Sequence, residues 1–248
     1  MNSRESSAFS ANKFTALFNE QDQQTCDTAF ILFNNYYEKL TNSLDELHFK
    51  DTTIKYDSLL TDSGKYLHQI SGKLLSYAQR LKNNGFKVYM SEGDTYIGPD
   101  LDFIAKWFYS YVSPTMKEYL IQLNKENKEG FSEDAGLTIS ARTFIDRTVW
   151  WEKFTIKNPN CIISKDAESN WKSYLGSLIY GMDNSPVIDL DKNTISDYYM
   201  AAYTYVQNSY PNTQTNRLIA PYFKLLLQKN NSKADQLKKE YEKKKNIL

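Results

Sequence analysis

Apolar side chains recur every three or four residues along most of the chain, a spacing typical of amphipathic α-helices. In residues 13–46 this stripe runs through Phe30, Phe33 and Tyr37. A second stripe predicts a helix over residues 57–82, which ends at Asn83-Asn84-Gly85, a sequence typical of helix C-termini. Further helices are predicted to begin at Asp100, after the capping pair Ser113-Pro114 and after Ser140, and to span residues 167–180, 194–209 and 216–228.

Strands are predicted in one short segment. The β-forming residues 87–90 and 95–97 flank a turn at residues 91–94 that contains glycine. This arrangement indicates a small β-hairpin near residues 87–98. The predicted fold is therefore all-α, built from antiparallel helix hairpins, with at most this one small hairpin of strands.

The amino-acid composition agrees with a helical fold and argues against nucleic acid as a partner. Nine glycines and six prolines in 248 residues are too few for a sandwich or barrel, which needs a turn every 8–12 residues or so. Thirty basic residues balance thirty acidic ones, so no general positive field attracts nucleic acid, and no nucleic-acid partner is expected. The exception is the lysine-rich segment 231–248, which we interpret as a basic polar tail that is only weakly helical and frays in solvent; contact with nucleic acid or lipid is the alternative.

Two parts of the C-terminal half align at an offset of 52 residues. Each is a helix, a corner containing Pro-Asn, and a second helix, and the proline prevents the first helix from continuing. Such units can bury their aromatic stripes against each other. The aligned pairs are Trp151 with Tyr203, Phe154 with Val206, Pro159 with Pro211, Asn160 with Asn212, Ala167 with Ile219, Trp171 with Phe223 and Leu175 with Leu227.

These two units resemble the tetratricopeptide-like helix hairpins of bacterial envelope lipoproteins over residues 140–230. The long segment 181–193 and Ile219, where a small residue is usual, depart from that pattern. Segments 92–100, 113–120, 131–137 and 150–154 are similar to uncharacterised helical lipoproteins of Bacteroides-type bacteria. This resemblance implies an extracytoplasmic protein whose only membrane contact is an N-terminal lipid anchor; a cytoplasmic location is the alternative.

The predicted organisation follows from these patterns. Residues 1–12 are a disordered tether, residues 13–136 a helical region with the short β-hairpin, residues 137–230 the tetratricopeptide-like region, and residues 231–248 the polar tail.

Four carboxylates lie close together in sequence around the predicted turn. Glu92, Asp94, Asp100 and Asp102 could gather a hard cation such as calcium, or form a general acid/base pair. Their spacing does not fit an EF-hand. The plainer interpretation is one turn residue together with Asp100 capping a helix, and no metal site is predicted.

Aromatic clusters are the second candidate site. Neighbouring aromatic residues on a helix point about 100° apart, so they cannot all face one core. Most are expected to pack inside, and the others could form a surface that contacts a peptide or a glycan. The candidates are Trp107, Tyr111, Trp150, Trp151, Tyr198 and Tyr199.

Other recognisable chemistry is lacking in the sequence. The two cysteines, Cys26 and Cys161, lie in apolar surroundings and are predicted to be free thiols, and His48 and His68 have no metal-binding spacing. No phosphate-binding glycine motif occurs, and no cofactor is predicted. The functional prediction is a non-enzymatic binding or scaffolding protein for a protein or peptide partner. The alternative is a glycan-active hydrolase that uses the carboxylates of residues 92–102.

Overall fold

The computed structural model describes residues 6–50, 56–60, 71–91 and 93–243. It confirms a mainly α-helical fold with only small two-stranded sheets. A short 3-10 helix spans Tyr56–Leu59. The α-helices are α1 (Ser7–Phe18), α2 (Gln23–Lys50), α3 (Gly72–Asn83), α4 (Leu101–Phe108), α5 (Pro114–Glu129), α6 (Ala141–Lys157), α7 (Ser164–Tyr180), α8 (Asp197–Ser209), α9 (Gln214–Leu227) and α10 (Asn231–Lys243). The strands, paired as antiparallel hairpins, are β1 (Phe86–Ser91) with β2 (Asp94–Pro99), β3 (Ser132–Glu133) with β4 (Gly136–Leu137), and β5 (Ile188–Asp189) with β6 (Thr194–Ile195).

The chain forms two compact units, Met1–Lys128 and Glu129–Leu248. The division falls earlier than the predicted boundary after residue 136, because the β3–β4 hairpin packs on a turn of the second unit. The backbone N–H of Asn184 donates to the carbonyl of Ala135 at 2.9 Å, and the N–H of Leu137 donates to Ser185 Oγ at 2.9 Å.

Three predictions for the first unit are wrong. Residues 7–12 belong to α1 rather than to a disordered tether, and Ala11 is buried there. The predicted helix over 13–46 is two helices, because the carboxylate of Asp22 caps α2 by accepting the N–H of Thr25 at 3.0 Å. The predicted helix over 57–82 is also divided: residues 56–59 form the 3-10 helix, α3 starts only at Gly72, and residues 61–70 lie outside the description.

The predicted β-hairpin is confirmed, with Ser91 opposite Asp94 and Phe86 opposite Pro99. It follows a turn at Gly85, whose φ of +81° suits glycine, and the Tyr37 hydroxyl of α2 donates to the carbonyl of Gly85. These links fix the hairpin against α2.

The second unit contains two helix hairpins with closely similar corners. In the first, the N–H of Asn158 donates to Phe154 O, with φ −126° and ψ 53° at Asn158. In the second, the N–H of Tyr210 donates to Val206 O, with φ −135° and ψ 48° at Tyr210. The aligned apolar pairs on the helices are buried at both positions, except that Leu227 is exposed and the preceding leucine is buried in its place. The Pro-Asn residues of both corners are exposed.

The first helices of the two hairpins, α6 and α8, lie side by side and run in the same direction. Contacts advance along both helices together. The Tyr198 hydroxyl donates to Ile139 O just before α6, and the Tyr205 hydroxyl donates to Asp146 Oδ1 within it. Lys153, near the end of α6, lies over the ring of Tyr210. Each hairpin therefore repeats the direction of the one before.

Residues 231–243 of the predicted weakly helical tail form the regular helix α10. Ala234 and Tyr241 are buried, and the Tyr241 hydroxyl donates to Leu218 O of α9 at 2.9 Å. Two apolar contacts one and a half to two turns apart are enough to hold a helix that is otherwise polar.

Many tyrosines serve the fold through their hydroxyl groups. In at least six places within the described residues, a tyrosine hydroxyl donates to a backbone carbonyl of another element. Two of these acceptors, Ser177 and Leu178, lie in the last turn of α7, and the Ser177 carbonyl also accepts the N–H of Gly181 at 3.1 Å. The donors are Tyr37, Tyr89, Tyr198, Tyr199, Tyr203 and Tyr241.

Candidate functional site

The six predicted aromatic residues do not form one surface. Trp151 and Tyr199 are fully buried, so the prediction that they belong to a binding surface is wrong. Trp107 and Tyr111 lie in the first unit, where they contact Phe103 and Phe14 respectively. Trp150 and Tyr198 are half-buried in the second unit, and Trp150 lies on the exposed side of α6.

A coherent candidate site is formed around Trp150 by side chains of α6, α8 and the corner after α8. We call it the α6–α8 face, and it is a part of the second unit where aromatic rings and charges meet at the surface. Its members are Arg142, Asp146, Trp150, Lys153, Tyr205 and Tyr210.

The geometry of this face follows from helix spacing. Arg142, Asp146, Trp150 and Lys153 are three or four residues apart, which places them along one side of α6. Trp150 is stacked on Phe154, with ring centroids 5.1 Å apart. This side of α6 therefore presents an arginine and an aspartate, then a tryptophan, then a lysine.

Asp146 organises the two tyrosines of the face. Its Oδ1 accepts the hydroxyl of Tyr205 at 3.0 Å and that of Tyr210 at 2.7 Å. The rings of these tyrosines meet edge to face at 5.9 Å. The hydrogen bond to the negatively charged Asp146 raises the pKa of Tyr210 well above its ordinary value, so the tyrosine hydroxyl stays protonated and donates.

Two cations lie over the tyrosine rings. The Arg142 guanidinium is 5.5 Å from the ring centroid of Tyr205, and the Lys153 ammonium is 5.1 Å from that of Tyr210. Cations at this distance are attracted to the ring face. Both side chains are exposed, so the face carries two positive charges and one negative charge to solvent.

The sequence signal for Tyr205 and Tyr210 was present but incomplete. Tyr210 belongs to the Tyr-Pro-Asn corner, where the proline indicates the end of a helix but not which residue the tyrosine contacts. Only the parallel course of α6 and α8 shows that both tyrosines reach one aspartate.

The described carboxylates of the other candidate site do not converge. Glu92 lies outside the described residues. Asp94 is at the tip of the β1–β2 hairpin and Asp100 is just beyond the other end of β2, so six residues of extended chain place them about 20 Å apart. A glycosidase needs two carboxyl groups about 5–10 Å apart. Asp94 and Asp100 therefore cannot be such a pair.

Asp100 and Asp102 have local structural roles. Asp100 caps α4 by accepting the N–H of Asp102 at 3.2 Å, and it lies 3.4 Å from the Lys87 ammonium. Asp102 accepts from the Lys128 ammonium at 2.6 Å and from the Asn124 amide at 3.0 Å, and these two bonds lower the pKa of Asp102. The capping interpretation of Asp100 agrees with this geometry.

The side chains that most often bind metal ions are dispersed in the described part of the chain. No three histidine, cysteine, aspartate or glutamate side chains there are grouped so that they could hold a metal ion. Cys26 is buried and Cys161 half-buried, and His68 lies outside the described residues. The ring of His48 is buried, with Nε2 3.0 Å from Thr95 Oγ1.

Comparisons with known proteins add no assignment. No protein-family model, no curated protein and no solved structure shows a significant match to the chain. Within the described residues, none of the helices has the length and apolar character needed to cross a lipid bilayer. The fold and the candidate site define a mainly α-helical protein of two compact units, the second of which contains two helix hairpins.

Proposed function

We propose that the protein is a non-enzymatic binding or scaffolding module that holds a protein or peptide partner on the α6–α8 face. The observation that carries this proposal is the row of half-buried aromatic rings between two exposed cations on that face. Tryptophan, tyrosine and arginine are the residues that most often dominate binding energy at protein interfaces.

The face is ordered before any partner arrives. The shared bonds of Tyr205 and Tyr210 to Asp146 and the stacking of Trp150 on Phe154 restrict these side chains. A preordered surface loses less conformational entropy on binding, which favours affinity. Arg142 already lies 3.7 Å from Asp146 Oδ2, so the charge of Lys153 is the one that best suits a partner segment with a carboxylate.

The arrangement of the hairpins supports a tetratricopeptide-like architecture. Such arrays repeat the same helix pair with a small rotation and use the surface of their successive first helices to bind extended partners. α6 and α8 are those first helices here, and the face lies on both.

A peptide array tests the proposal. The full-length protein is applied to immobilised 15-residue peptides of varied sequence, and bound spots are compared with those of the variants Trp150→Ala, Lys153→Glu and Arg142→Glu. Spots containing acidic residues should weaken for all three variants. Lys165→Glu is the matched control, because Lys165 is exposed on α7 away from the face and the substitution changes charge equally.

Two results would count against this function. One is an array with no peptide bound above background. The other is a set of bound peptides that is the same for the three variants as for Lys165→Glu.

We also propose an extracytoplasmic, lipid-tethered location, which rests on the resemblance of segments 92–100, 113–120, 131–137 and 150–154 to envelope lipoproteins. Metabolic labelling of the producing cells with a fatty-acid analogue should mark the protein and place it in the membrane fraction. Labelling confined to other proteins would argue for the cytoplasmic alternative.

A further inference from the structure

An apolar groove runs between α1 and α2 in the first unit, independently of the α6–α8 face. It has a volume of about 410 Å³, within the range of about 300–1,000 Å³ that is typical of ligand sites. Phe14 and Phe33 form its floor and are buried. The rim consists of Phe9, Leu17 and Leu32, which are 40%, 65% and 67% exposed.

The groove lies where a third helix would pack in a helix bundle. α1 and α2 are consecutive helices joined by a four-residue turn, and the apolar groove between two such helices is the surface that a third amphipathic helix covers in a bundle. α1 has 12 residues and is therefore about 18 Å long. Phe9 and Leu17 lie about two turns apart, which matches anchors at positions i, i+4 and i+7 of a partner helix.

The charge of the residues that line the groove favours an acidic partner over a second copy of this chain. Among the described residues that line the groove, Lys13 is the one charged residue, and it lies midway between Phe9 and Leu17 on the rim. A second copy of this chain, docked symmetrically about this point, would bring two Lys13 ammonium groups together, which costs energy. A partner with a carboxylate beside its apolar stripe would pair with Lys13 instead.

We propose that this groove binds an amphipathic helical segment of another protein, about 12 residues long, with an aspartate or glutamate next to its apolar stripe. The exposed rim residues Phe9 and Leu17 lie about two turns apart on α1 and face Leu32 of α2, so one amphipathic helix can cover all three while its carboxylate pairs with Lys13. No strand edge lies in the groove, so an extended peptide would gain no backbone ladder there.

A display library tests this proposal with the full-length protein. The library presents 14-residue helical peptides with leucines at i, i+4 and i+7 and random residues elsewhere. Selection on the wild type should enrich peptides that carry an acidic residue beside the leucine stripe. Because Leu32 is two-thirds exposed and would be covered on binding, Leu32→Lys should weaken the enriched peptides about tenfold.

Two further variants make the test specific. Leu47→Lys is the matched control, since Leu47 also lies on α2 and is 64% exposed but does not line the groove, and it should leave binding unchanged. Lys13→Glu should weaken the acidic peptides about two- to fivefold and shift the selection towards basic flanks. Far-UV circular dichroism of each variant verifies that the fold is kept.

Several outcomes would overturn the inference. These are a library with no enrichment over Leu32→Lys, enriched peptides with no acidic preference, or binding that Leu47→Lys reduces equally. A dimer of the wild type that Leu32→Lys dissociates would assign the groove to a second copy. Sedimentation with vesicles of phosphatidylcholine and phosphatidylglycerol, lost in Leu32→Lys alone, would assign it to a lipid surface.

Discussion

Glu152 is a buried side chain whose loss should strongly destabilise the second unit. It lies on α6 and is buried, and its two carboxylate oxygens accept the backbone N–H groups of Gln214 at 2.6 Å and of Thr215 at 2.8 Å. These are the first two residues of α9. The third N–H, that of Asn216, is taken by the side chain of the N-cap residue Thr213 at 3.2 Å. The start of α9 is therefore satisfied by two different elements of the fold.

The expected cost of Glu152→Ala follows from these bonds. A hydrogen bond to a charged group contributes about 1.5–3 kcal/mol, and the truncation leaves the buried N–H of Thr215 and the partly buried N–H of Gln214 without acceptors. The loss of charge beside the helix N-terminus adds to this, and the desolvation that the buried carboxylate no longer suffers offsets a part. We expect the free energy of unfolding of the second unit to fall by about 3–5 kcal/mol.

Urea denaturation followed by tryptophan fluorescence measures this effect. Three of the four tryptophans belong to the second unit, and Trp107→Phe as the common background removes the fourth, so the signal then reports on that unit alone. Thr213→Ala is the first control and should cost about 1 kcal/mol, as an ordinary N-cap does. Glu168→Ala, which removes a half-exposed carboxylate on α7, should cost less than about 0.5 kcal/mol.

The reasoning fails if Glu152→Ala costs no more than Thr213→Ala. It fails equally if the slope of the transition changes while its extrapolated free energy does not, because the substitution would then have altered the unfolded chain rather than the cap.

Three further predictions concern the first unit. Gly85→Ala should lower the free energy of unfolding of the first unit by about 2–4 kcal/mol in a urea denaturation of the chain that keeps Trp107, because φ is +81° and the new Cβ would lie 2.6 Å from a buried phenylalanine ring. Asp27→Ala should cost about 1.5–3 kcal/mol, since its carboxylate accepts both the N–H of Ser113 at 2.8 Å and its hydroxyl at 2.6 Å; a cost as small as that of an exposed substitution would contradict this. Lys128→Met should raise the pKa of Asp102 towards its ordinary value, as a carboxyl NMR titration would show. The pair stabilises the fold above the pKa of the unfolded chain, and this is lost as pH falls through the lowered folded pKa, but the exposed pair contributes only about 0–0.5 kcal/mol. An unchanged Asp102 titration in the variant would refute the assignment.

Sequence periodicity was sufficient for most of the helices and for the β-hairpin. The predicted starts after Asp100, Ser113 and Ser140 are confirmed, because each of these side chains accepts a backbone N–H at the first turn of its helix. The apolar stripes of residues 13–46 and 57–82 each predicted a single helix, because the apolar spacing continues across the positions where the helix ends. A cap such as Asp22 is a single residue and does not interrupt the apolar pattern around it.

The candidate surfaces depended on contacts between distant residues, which one sequence does not reveal. Trp150 and Trp151 are neighbours in sequence, yet only the first reaches the surface, because the direction of each follows from how α6 is rotated in its packing. The α6–α8 face required knowing that α8 runs beside α6. The groove between α1 and α2 required the break at residues 19–22, which the apolar stripe concealed.

The hydrogen bonds of the tyrosine hydroxyls constrain the amino acid at the donor position more than the amino acid at the acceptor position. Each needs a tyrosine on the donor side, but the acceptor is a main-chain carbonyl that every amino acid supplies. Residue types at Ile139, Ser177 and Leu178 can therefore drift without breaking the bond, as long as the backbone keeps its course. Among relatives of this chain, the tyrosines should persist where the residues they hold have changed, and the abundance of tyrosine would then record architecture rather than a ligand.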